Sequence, residues 1–199
     1  MSTFIKICGL RDAESVAAVV AAGADAVGFV FAESVRRLEP GEARSISQAI
    51  PADILRVAVM RHPSNEEWLE VLDTFEPDVL QTDIEDFEGL EVPSHIVSWP
   101  VIREGSRAAN GQLPDAFVYE GKLSGAGETV DWSRAADLTN GGRMILAGGL
   151  TPNNVATAMA AAKPWGVDVS SGVESQPGHK DIELIRTFIG AVRAAEKDQ

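Results

Sequence analysis

Residues 4–31 read FIKICGLRDAESVAAVVAAGADAVGFVF, with two short apolar runs on either side of a longer amphipathic stretch. The runs Phe4–Cys8 and Ala26–Phe31 have the length and composition of buried strands, and Asp12–Ala22 has the spacing of a helix. A strand, a helix and a second strand in this order form a unit with parallel strands, because the helix crosses over between them. This stretch therefore predicts an α/β protein.

The same alternation continues to the end of the chain. Eight strands in 199 residues leave about 25 residues for each unit, which is compact for a closed barrel but feasible. We predict a single-domain (β/α)8 TIM barrel over residues 1–199, with an open doubly wound sheet as the alternative. The further predicted strands are Leu55–Met60, Val79–Gln81, His95–Val101, Ala116–Glu120, Met144–Leu146 and Gly166–Val169, and the further helices are Gly41–Ile50, Asn65–Phe75, Trp132–Leu138, Asn153–Ala162 and Ile182–Ala195.

Two connections in the middle of the chain are weak helix candidates. Asp83–Pro93 is short and acidic, and Arg103–Asp115 is polar and contains glycine. We therefore expect the fourth and fifth helices to be truncated.

Composition restricts the classes of function. The formal net charge of −13 repels nucleic acid and anionic membranes, so we expect neither as a partner. No apolar run approaches the roughly 20 residues of a membrane span, and the N-terminus lacks secretory features, so a cytoplasmic location is expected. The single cysteine, Cys8, excludes an intramolecular disulfide, and His62, His95 and His179 lack the spacing of a metal site. We expect no metal.

In a parallel barrel, functional side chains lie where the strands end on the carboxyl side. The sequence places polar and glycine-rich segments at these ends. They are Lys6-Ile7-Cys8-Gly9 in the first unit, Ser34-Val35-Arg36 in the second, Gln81 in the fourth, Glu120 in the sixth, Ala147-Gly148-Gly149-Leu150 in the seventh and Asp168–Glu174 in the eighth.

The last two of these segments suit a phosphate group. Glycine lets the backbone approach an anion closely, so that free N–H groups can donate to its oxygens. Gly148-Gly149 alone is equally compatible with an ordinary turn. Because Ser170-Ser171-Gly172 follows the next strand, the two segments together predict a phosphate-binding site.

Cys8 and Glu120 are candidates for proton transfer. Lys6 and Cys8 share one face of the first strand because side chains alternate along it. If that face is the barrel interior, the Lys6 ammonium favours the thiolate and lowers the pKa of Cys8. The alternatives are a small half-buried Cys8 without chemistry and a solvated Glu120. Arg36 is either an anion-binding group or a surface charge.

Five segments carry a resemblance to a known family. They read KICGL at 6–10, GADAVGFVF at 23–31, SGAGETVDW at 124–132, AGGLTPNNV at 147–155 and GVDVSSGVE at 166–174. In this order they closely resemble phosphoribosylanthranilate isomerases, and they span nearly the whole chain.

The resemblance implies an aldose–ketose isomerase of tryptophan biosynthesis. Its reaction is the cofactor-free Amadori rearrangement of N-(5-phosphoribosyl)anthranilate to 1-(2-carboxyphenylamino)-1-deoxyribulose 5-phosphate. Cys8 matches the general base that takes the C2 proton, and Glu120 occupies the position of the aspartate general acid that protonates the ring oxygen. The reverse assignment, thiol as acid and carboxylate as base, stays open.

The resemblance also implies the binding residues. Arg36 matches an arginine that meets the anthranilate end of the substrate, and Asp168 matches an active-site aspartate. Together with Lys6 and Gln81 from the strand ends, the full expected sets are Lys6, Arg36, Gln81 and Asp168 for substrate binding, and Gly148, Gly149, Ser170, Ser171 and Gly172 for the phosphate.

Three features depart from the family pattern. Glu120 in place of aspartate adds one methylene, or about 1.5 Å, and the loop after it is shorter. The segment Thr82-Asp83-Ile84 replaces a leucine, a histidine and a glycine, and Asp83 is expected to weaken binding of an anionic substrate.

The alternatives are a related sugar-phosphate isomerase with an altered substrate and a non-catalytic phosphate-binding barrel. The expected partner is a small sugar phosphate, and the chain is expected to be a monomer or a homodimer.

Overall fold

A computed structural model of the protein describes residues 2–106, 113–122 and 129–198, which form a closed barrel of eight parallel strands. Each strand pairs with the next along the chain, and the last pairs with the first. The predicted barrel is confirmed, and the open sheet is excluded. The strands are β1 Phe4–Cys8, β2 Ala26–Val30, β3 Leu55–Val59, β4 Val79–Asp83, β5 Val97–Arg103, β6 Ala116–Glu120, β7 Arg143–Leu146 and β8 Gly166–Val169.

Helices connect most of the strands, and side-chain caps fix several of their starts. Asp12 accepts a hydrogen bond from the backbone N–H of Ser15, and Ser64 and Glu67 form a capping box. The helix predicted to start at Asn153 begins at Val155, directly after Asn154. The helices are α1 Ala13–Ala22, α2 Pro40–Ser47, α3 Asn65–Phe75, α4 Trp132–Leu138, α5 Val155–Ala162 and α6 Ile182–Ala195.

The connection after β4 is the short one. A single 3-10 helix, Ile84–Glu88, stands there, so the expected truncation of the fourth helix is confirmed. The expected truncation of the fifth helix concerns Arg103–Asp115, of which residues 107–112 lie outside the described residues. The shortened loop after Glu120 includes residues 123–128, which also lie outside them.

Two strands differ from the prediction in a way that matters at the rim. β4 extends to Asp83, and β5 runs from Val97 to Arg103. The sequence pattern ended the fourth strand at Gln81 because Thr82 and Asp83 are polar, but both side chains are buried. Asp83 and Arg103 are therefore strand-end residues on the carboxyl side of the barrel.

A hairpin follows β8 that the sequence pattern did not predict. It consists of β9 Glu174–Gln176 and β10 His179–Lys180 and comes before α6. Gly178 lies in its turn with φ of +83°, a conformation that L side chains rarely adopt. The hairpin brings Glu174 and Lys180 opposite each other.

The strands of the barrel separate two apolar clusters, one packed between the strands and the helices and one inside the barrel. Ile5 and Ile7 of β1 pack outward with the helices, so Lys6 and Cys8 face the barrel interior. Phe4 stacks on Trp165 with ring centroids 4.6 Å apart near the amino ends of the strands. The remaining interior is filled by small and branched residues together with Trp99: Ala26, Val57, Val79, Trp99, Val101, Ala116, Val118, Ile145 and Ala147. None of the described helices combines the length and apolar character that a membrane crossing requires.

Candidate active site

A pocket opens at the carboxyl ends of the strands and gathers most of the predicted site residues. Lys6 lies buried beneath it, and Gly172 lies behind its wall. A Cβ atom on Gly172 would lie 1.9 Å from the carbonyl oxygen of Leu150, so this position requires glycine for packing. The predicted residues that line the pocket are Cys8, Arg36, Gln81, Glu120, Gly148, Gly149, Asp168, Ser170 and Ser171.

Lys6 and Asp168 form a buried ion pair at the wall of the pocket that carries Cys8. The two residues are partners in the β1–β8 register, and Lys6 Nζ donates to Asp168 Oδ2 over 2.7 Å. Burial works to lower the pKa of Lys6, but the charges of Asp168 and Cys8 outweigh it and raise that pKa. Lys6 therefore stays protonated although its side chain is 0% exposed.

The Cys8 sulfur lies beside this pair. Gly28 on β2 makes room for it, since a Cβ at that position would lie 2.9 Å from Sγ. Burial, helped by the Asp168 charge, raises the pKa of the Cys8 thiol, while Lys6 and Lys180 act in the opposite direction. The expected effect of Lys6 on this pKa is present, but burial of the thiol outweighs it and the Asp168 charge opposes it, so the pKa of Cys8 is raised.

Behind Cys8 lies a second ionic network that the sequence did not predict. Arg36 donates through Nε and Nη2 to the two carboxylate oxygens of Glu174, over 2.7 Å and 2.9 Å. Lys180 Nζ donates to Glu174 Oε1 over 2.7 Å and to the carbonyl oxygen of Ser170 over 2.9 Å. The Arg36–Glu174 pair joins residues 138 positions apart, and the Lys180–Glu174 pair depends on the hairpin, so spacing along the chain could not reveal them.

This network shifts the pKa values of its members. Burial works to raise the pKa of Glu174, but hydrogen bonds from Arg36 and Lys180 outweigh it and lower that pKa to about 2. Burial lowers the pKa of Lys180, and this effect exceeds the opposite effect of the Glu174 carboxylate. The hydrogen bond to Glu174 raises the pKa of Arg36. Glu174 is thus a fixed anion that holds two cations beside the pocket.

The predicted phosphate segments form the wall next to this network. Gly148 and Gly149 have φ of +89° and +59°, where glycine carries no steric penalty. The Asn154 side chain braces the turn, since Nδ2 donates to the Gly149 carbonyl and Oδ1 accepts from the Thr151 N–H. Together with the Lys180 ammonium against Ser170, this wall is suited to an anion.

The opposite wall carries Glu120 and two further charged residues. Arg103 Nη1 lies 3.5 Å from Glu120 Oε2, and Arg103 Nε lies 2.7 Å from Asp83 Oδ1. Asp83 was expected to repel an anionic substrate. Arg103, which the sequence did not single out, lies against Asp83 and offsets its charge. The weaker binding of an anionic substrate stays a prediction.

Three buried side-chain oxygens at or near the pocket accept no hydrogen bond from any described residue. Gln81 Oε1 and Asp168 Oδ1 belong to residues that line the pocket, and Asp83 Oδ1 lies in the ion pair with Arg103. Buried acceptors of this kind usually have partners in the functional state. Hydroxyl groups of a bound sugar would satisfy the two that line the pocket.

One group of potential metal ligands lies at the edge of the site. Ligand atoms of His62, Asp83 and Asp86 lie within 4.8 Å of one another, which histidine spacing alone did not indicate. His62 Nδ1 is 2.9 Å from Asp86 Oδ1, and Thr82 donates to the other Asp86 oxygen. Because the Arg103 guanidinium also lies against Asp83, we assign the group a structural role.

Comparison with known proteins identifies the family. The sequence model for N-(5'-phosphoribosyl)anthranilate isomerase matches residues 5–191. The chain belongs to this family. The phosphoribosylanthranilate isomerase of Pseudomonas fluorescens (strain Pf0-1) is 41% identical over 205 residues, covering 94% of this chain and 97% of that protein.

Solved phosphoribosylanthranilate isomerases share the barrel. The Thermus thermophilus structure superposes with a TM-score of 0.83 at 30% identity, covering 96% of this chain and 99% of the other. A phosphoribosylanthranilate isomerase in complex with reduced 1-(o-carboxyphenylamino)-1-deoxyribulose 5-phosphate has a TM-score of 0.79 at 32% identity, with coverage of 96% and 99%.

Proposed function

We propose that the chain catalyses the isomerisation of N-(5-phosphoribosyl)anthranilate to 1-(2-carboxyphenylamino)-1-deoxyribulose 5-phosphate in tryptophan biosynthesis. One observation carries the proposal. In a chain of this family, Cys8 and Glu120 line the same pocket as the Gly148-Gly149 and Ser170-Ser171 segments. A thiol, a carboxyl group and an anion-binding wall are the groups that this reaction needs on a sugar phosphate.

In the first step, Glu120 donates a proton to the ring oxygen of the sugar. The bond between C1 and that oxygen breaks, and the nitrogen lone pair forms the C1–N double bond of the open iminium ion. General acid catalysis suits this step because the leaving oxygen would otherwise carry a negative charge.

In the second step, Cys8 removes the proton from C2 as a thiolate. The C–H electrons form the C1–C2 double bond, and the iminium nitrogen recovers its lone pair. The resulting enol becomes the ketone when its C2 hydroxyl loses a proton and C1 gains one. Two proton-transfer groups suffice, so the proposal needs no cofactor.

The surrounding residues bind and orient the substrate. We assign the phosphate to the backbone of Gly148 and Gly149 and to Ser170 and Ser171, with Gly172 supporting the turn. Gln81 Oε1 and Asp168 Oδ1 would accept hydrogen bonds from the sugar hydroxyls.

The charged residues complete the binding site. Nε and Nη2 of Arg36 donate to the carboxylate of Glu174. We therefore assign the remaining nitrogen, Nη1, to the anthranilate carboxylate. Lys6 balances the charge of Asp168 and that of the Cys8 thiolate once it forms.

Turnover of purified protein with N-(5-phosphoribosyl)anthranilate tests the proposal. We expect conversion by the unaltered chain and rescue of a tryptophan auxotroph that lacks this isomerase, and we expect neither with Cys8→Ala. Tight binding of a sugar phosphate without turnover would instead support the non-catalytic barrel.

Assembly and location complete the proposal. A solved structure describes the Thermotoga maritima relative as dimeric, and we propose that this chain is a monomer or a homodimer, which sedimentation would decide. A free catalytic thiol suits a reducing compartment such as the cytoplasm.

A further inference from the structure

The rim opposite Cys8 is formed by the ends of three neighbouring strands. Arg103, the last residue of β5, is the direct partner of Glu120 in the β5–β6 register. Asp83, the last residue of β4, pairs with Val101, which lies two residues before Arg103 on β5. Side chains two positions apart share a face of a strand. The topology therefore places Asp83, Arg103 and Glu120 in one row.

Asp83 anchors this row. Its side chain is 4% exposed, and a buried carboxylate is costly unless a cation compensates it. The Arg103 Nε supplies that charge at 2.7 Å, whereas the exposed side chains of His62 and Arg61 lie 3.5 Å and 4.0 Å away. Removing Arg103 would leave Asp83 without its nearest cation, so the guanidinium is held in place.

The other end of the guanidinium faces β6. Arg103 Nη1 lies 3.5 Å from Glu120 Oε2 and donates to the Gly121 carbonyl over 3.4 Å. The same group thus contacts both the carboxyl group of Glu120 and the backbone that follows it. Glutamate at position 120 has one more rotatable bond to restrain than the aspartate that the resemblance implies for the family.

We propose that Arg103 is a positioning residue that holds the carboxyl group of Glu120 towards the substrate, and that Asp83 holds Arg103 in turn. The proposal rests on the proposed function, in which Glu120 is the general acid. It accounts for two departures from the family pattern together. Asp83 fixes the guanidinium, and the guanidinium restrains the extra methylene of Glu120.

A double-mutant cycle on kcat tests this role. We expect Arg103→Gln to lower kcat roughly 10- to 100-fold, because small misplacements of a catalytic group have effects of this size, while KM changes less than about 3-fold. In the Glu120→Gln background, the same substitution should change kcat by less than about 3-fold. An equal loss in both backgrounds would overturn the proposal, as would a full kcat in Glu120→Gln.

Two further variants separate positioning from folding. Asp83→Asn combined with Arg103→Gln removes both charges, so we expect it to fold as well as the unaltered chain and to keep the low kcat. Recovery of kcat in that variant would overturn the proposal. Arg56→Gln is the control for loss of an arginine–aspartate pair, because Arg56 forms a more exposed pair with Asp78, at 3.2 Å, at the opposite end of the barrel. We expect its kcat to stay within about 2-fold.

The design keeps the two proposals distinguishable. Turnover by the unaltered chain and its loss in Cys8→Ala support the proposed function whatever the cycle shows. Additive losses in the cycle, with that turnover intact, remove Arg103 from the positioning role and leave the isomerase activity standing.

Discussion

The two walls of the pocket differ in how firmly they are built. On the base wall, defined by Lys6, Cys8 and Asp168, side chains are at most 8% exposed and the ion pair measures 2.7 Å. On the acid wall, the side chains of Glu120 and Arg103 are 16% and 18% exposed and lie 3.5 Å apart. The base wall depends on enclosed charges, whereas the acid wall is a more open row of groups.

The chemistry explains the difference. A buried thiol becomes a base only where neighbouring charges can balance its thiolate, so the groups around Cys8 must be fixed. A general acid needs a proton to donate and a side chain that brings this proton to the leaving atom. A longer side chain can meet this need if another residue restrains its carboxyl group. From the resemblance of the sequence, we expect the acid wall to be the part of the site that departs from the family pattern.

The largest expected effect comes from removing the base. Cys8→Ala should lower kcat by about 10³-fold or more, and Glu120→Gln by about 10²- to 10³-fold, because general acids and bases contribute factors of this order. Steady-state kinetics on both variants, with thermal unfolding as the folding control, checks this order. A larger loss in Glu120→Gln would favour the reverse assignment of acid and base.

Glu120→Asp separates reach from proton donation on the acid wall. It introduces the residue that the resemblance implies for this position and shortens the side chain by one methylene, so it keeps the proton and loses contact with Arg103. We expect kcat to fall roughly 10-fold, an intermediate effect. Activity at or above that of the unaltered chain would mean that the extra methylene is not part of the acid's placement.

The network behind the base wall should make a pH-dependent contribution to stability. The pKa of Glu174 is lowered from 4.5 to about 2, which corresponds to roughly 3 kcal/mol. A lowered folded-state pKa stabilises the fold above the unfolded value and loses that contribution as the pH falls towards 2. Glu174→Gln should therefore destabilise the protein by roughly this amount at pH 7.

Chemical unfolding between pH 7 and pH 3 measures this contribution. The difference between Glu174→Gln and the unaltered chain should shrink below pH 4.5. Glu183→Gln is the matched control, because its pair with Arg186 is on the surface and should contribute less than about 1 kcal/mol. A pH-independent difference would show that the loss comes from packing.

The smallest expected effect is a shift in the titration of Cys8. Burial and Asp168 raise the pKa of the thiol, so Asp168→Asn should move the midpoint of its titration to lower pH. Because Cys8 is the single cysteine of the chain, the pH dependence of alkylation by iodoacetamide reports it directly. A midpoint that moves up would mean that Lys6 no longer faces the sulfur.

The sequence predicted the strands and the rim because both follow local patterns. Apolar runs marked the strands, and the strand ends carried Cys8, Glu120 and the glycine segments. The Lys6–Asp168 pair depends on the closure of β8 on β1, and the Glu174–Lys180 pair depends on a hairpin whose second strand has only two residues. Neither has a local signal.

Arg103 was missed for a different reason. Both predicted strands ended too early. The fourth stopped at Gln81, before the polar residues at 82 and 83, and the fifth stopped at Val101, which placed Arg103 in a connection. In the structure Asp83 is buried against Arg103, and this pairing offsets the polarity that misled the pattern. Burial of a charged residue can be recognised only once its partner is known.

A crystal structure of this chain with reduced 1-(o-carboxyphenylamino)-1-deoxyribulose 5-phosphate is the most direct test of the two-wall account. We expect the sulfur of Cys8 and the carboxyl group of Glu120 on opposite sides of the sugar chain, each within about 4 Å of it, with the phosphate against Gly148-Gly149 and Ser170-Ser171. A ligand seated with its phosphate elsewhere, or with Glu120 turned away from the sugar, would contradict the account.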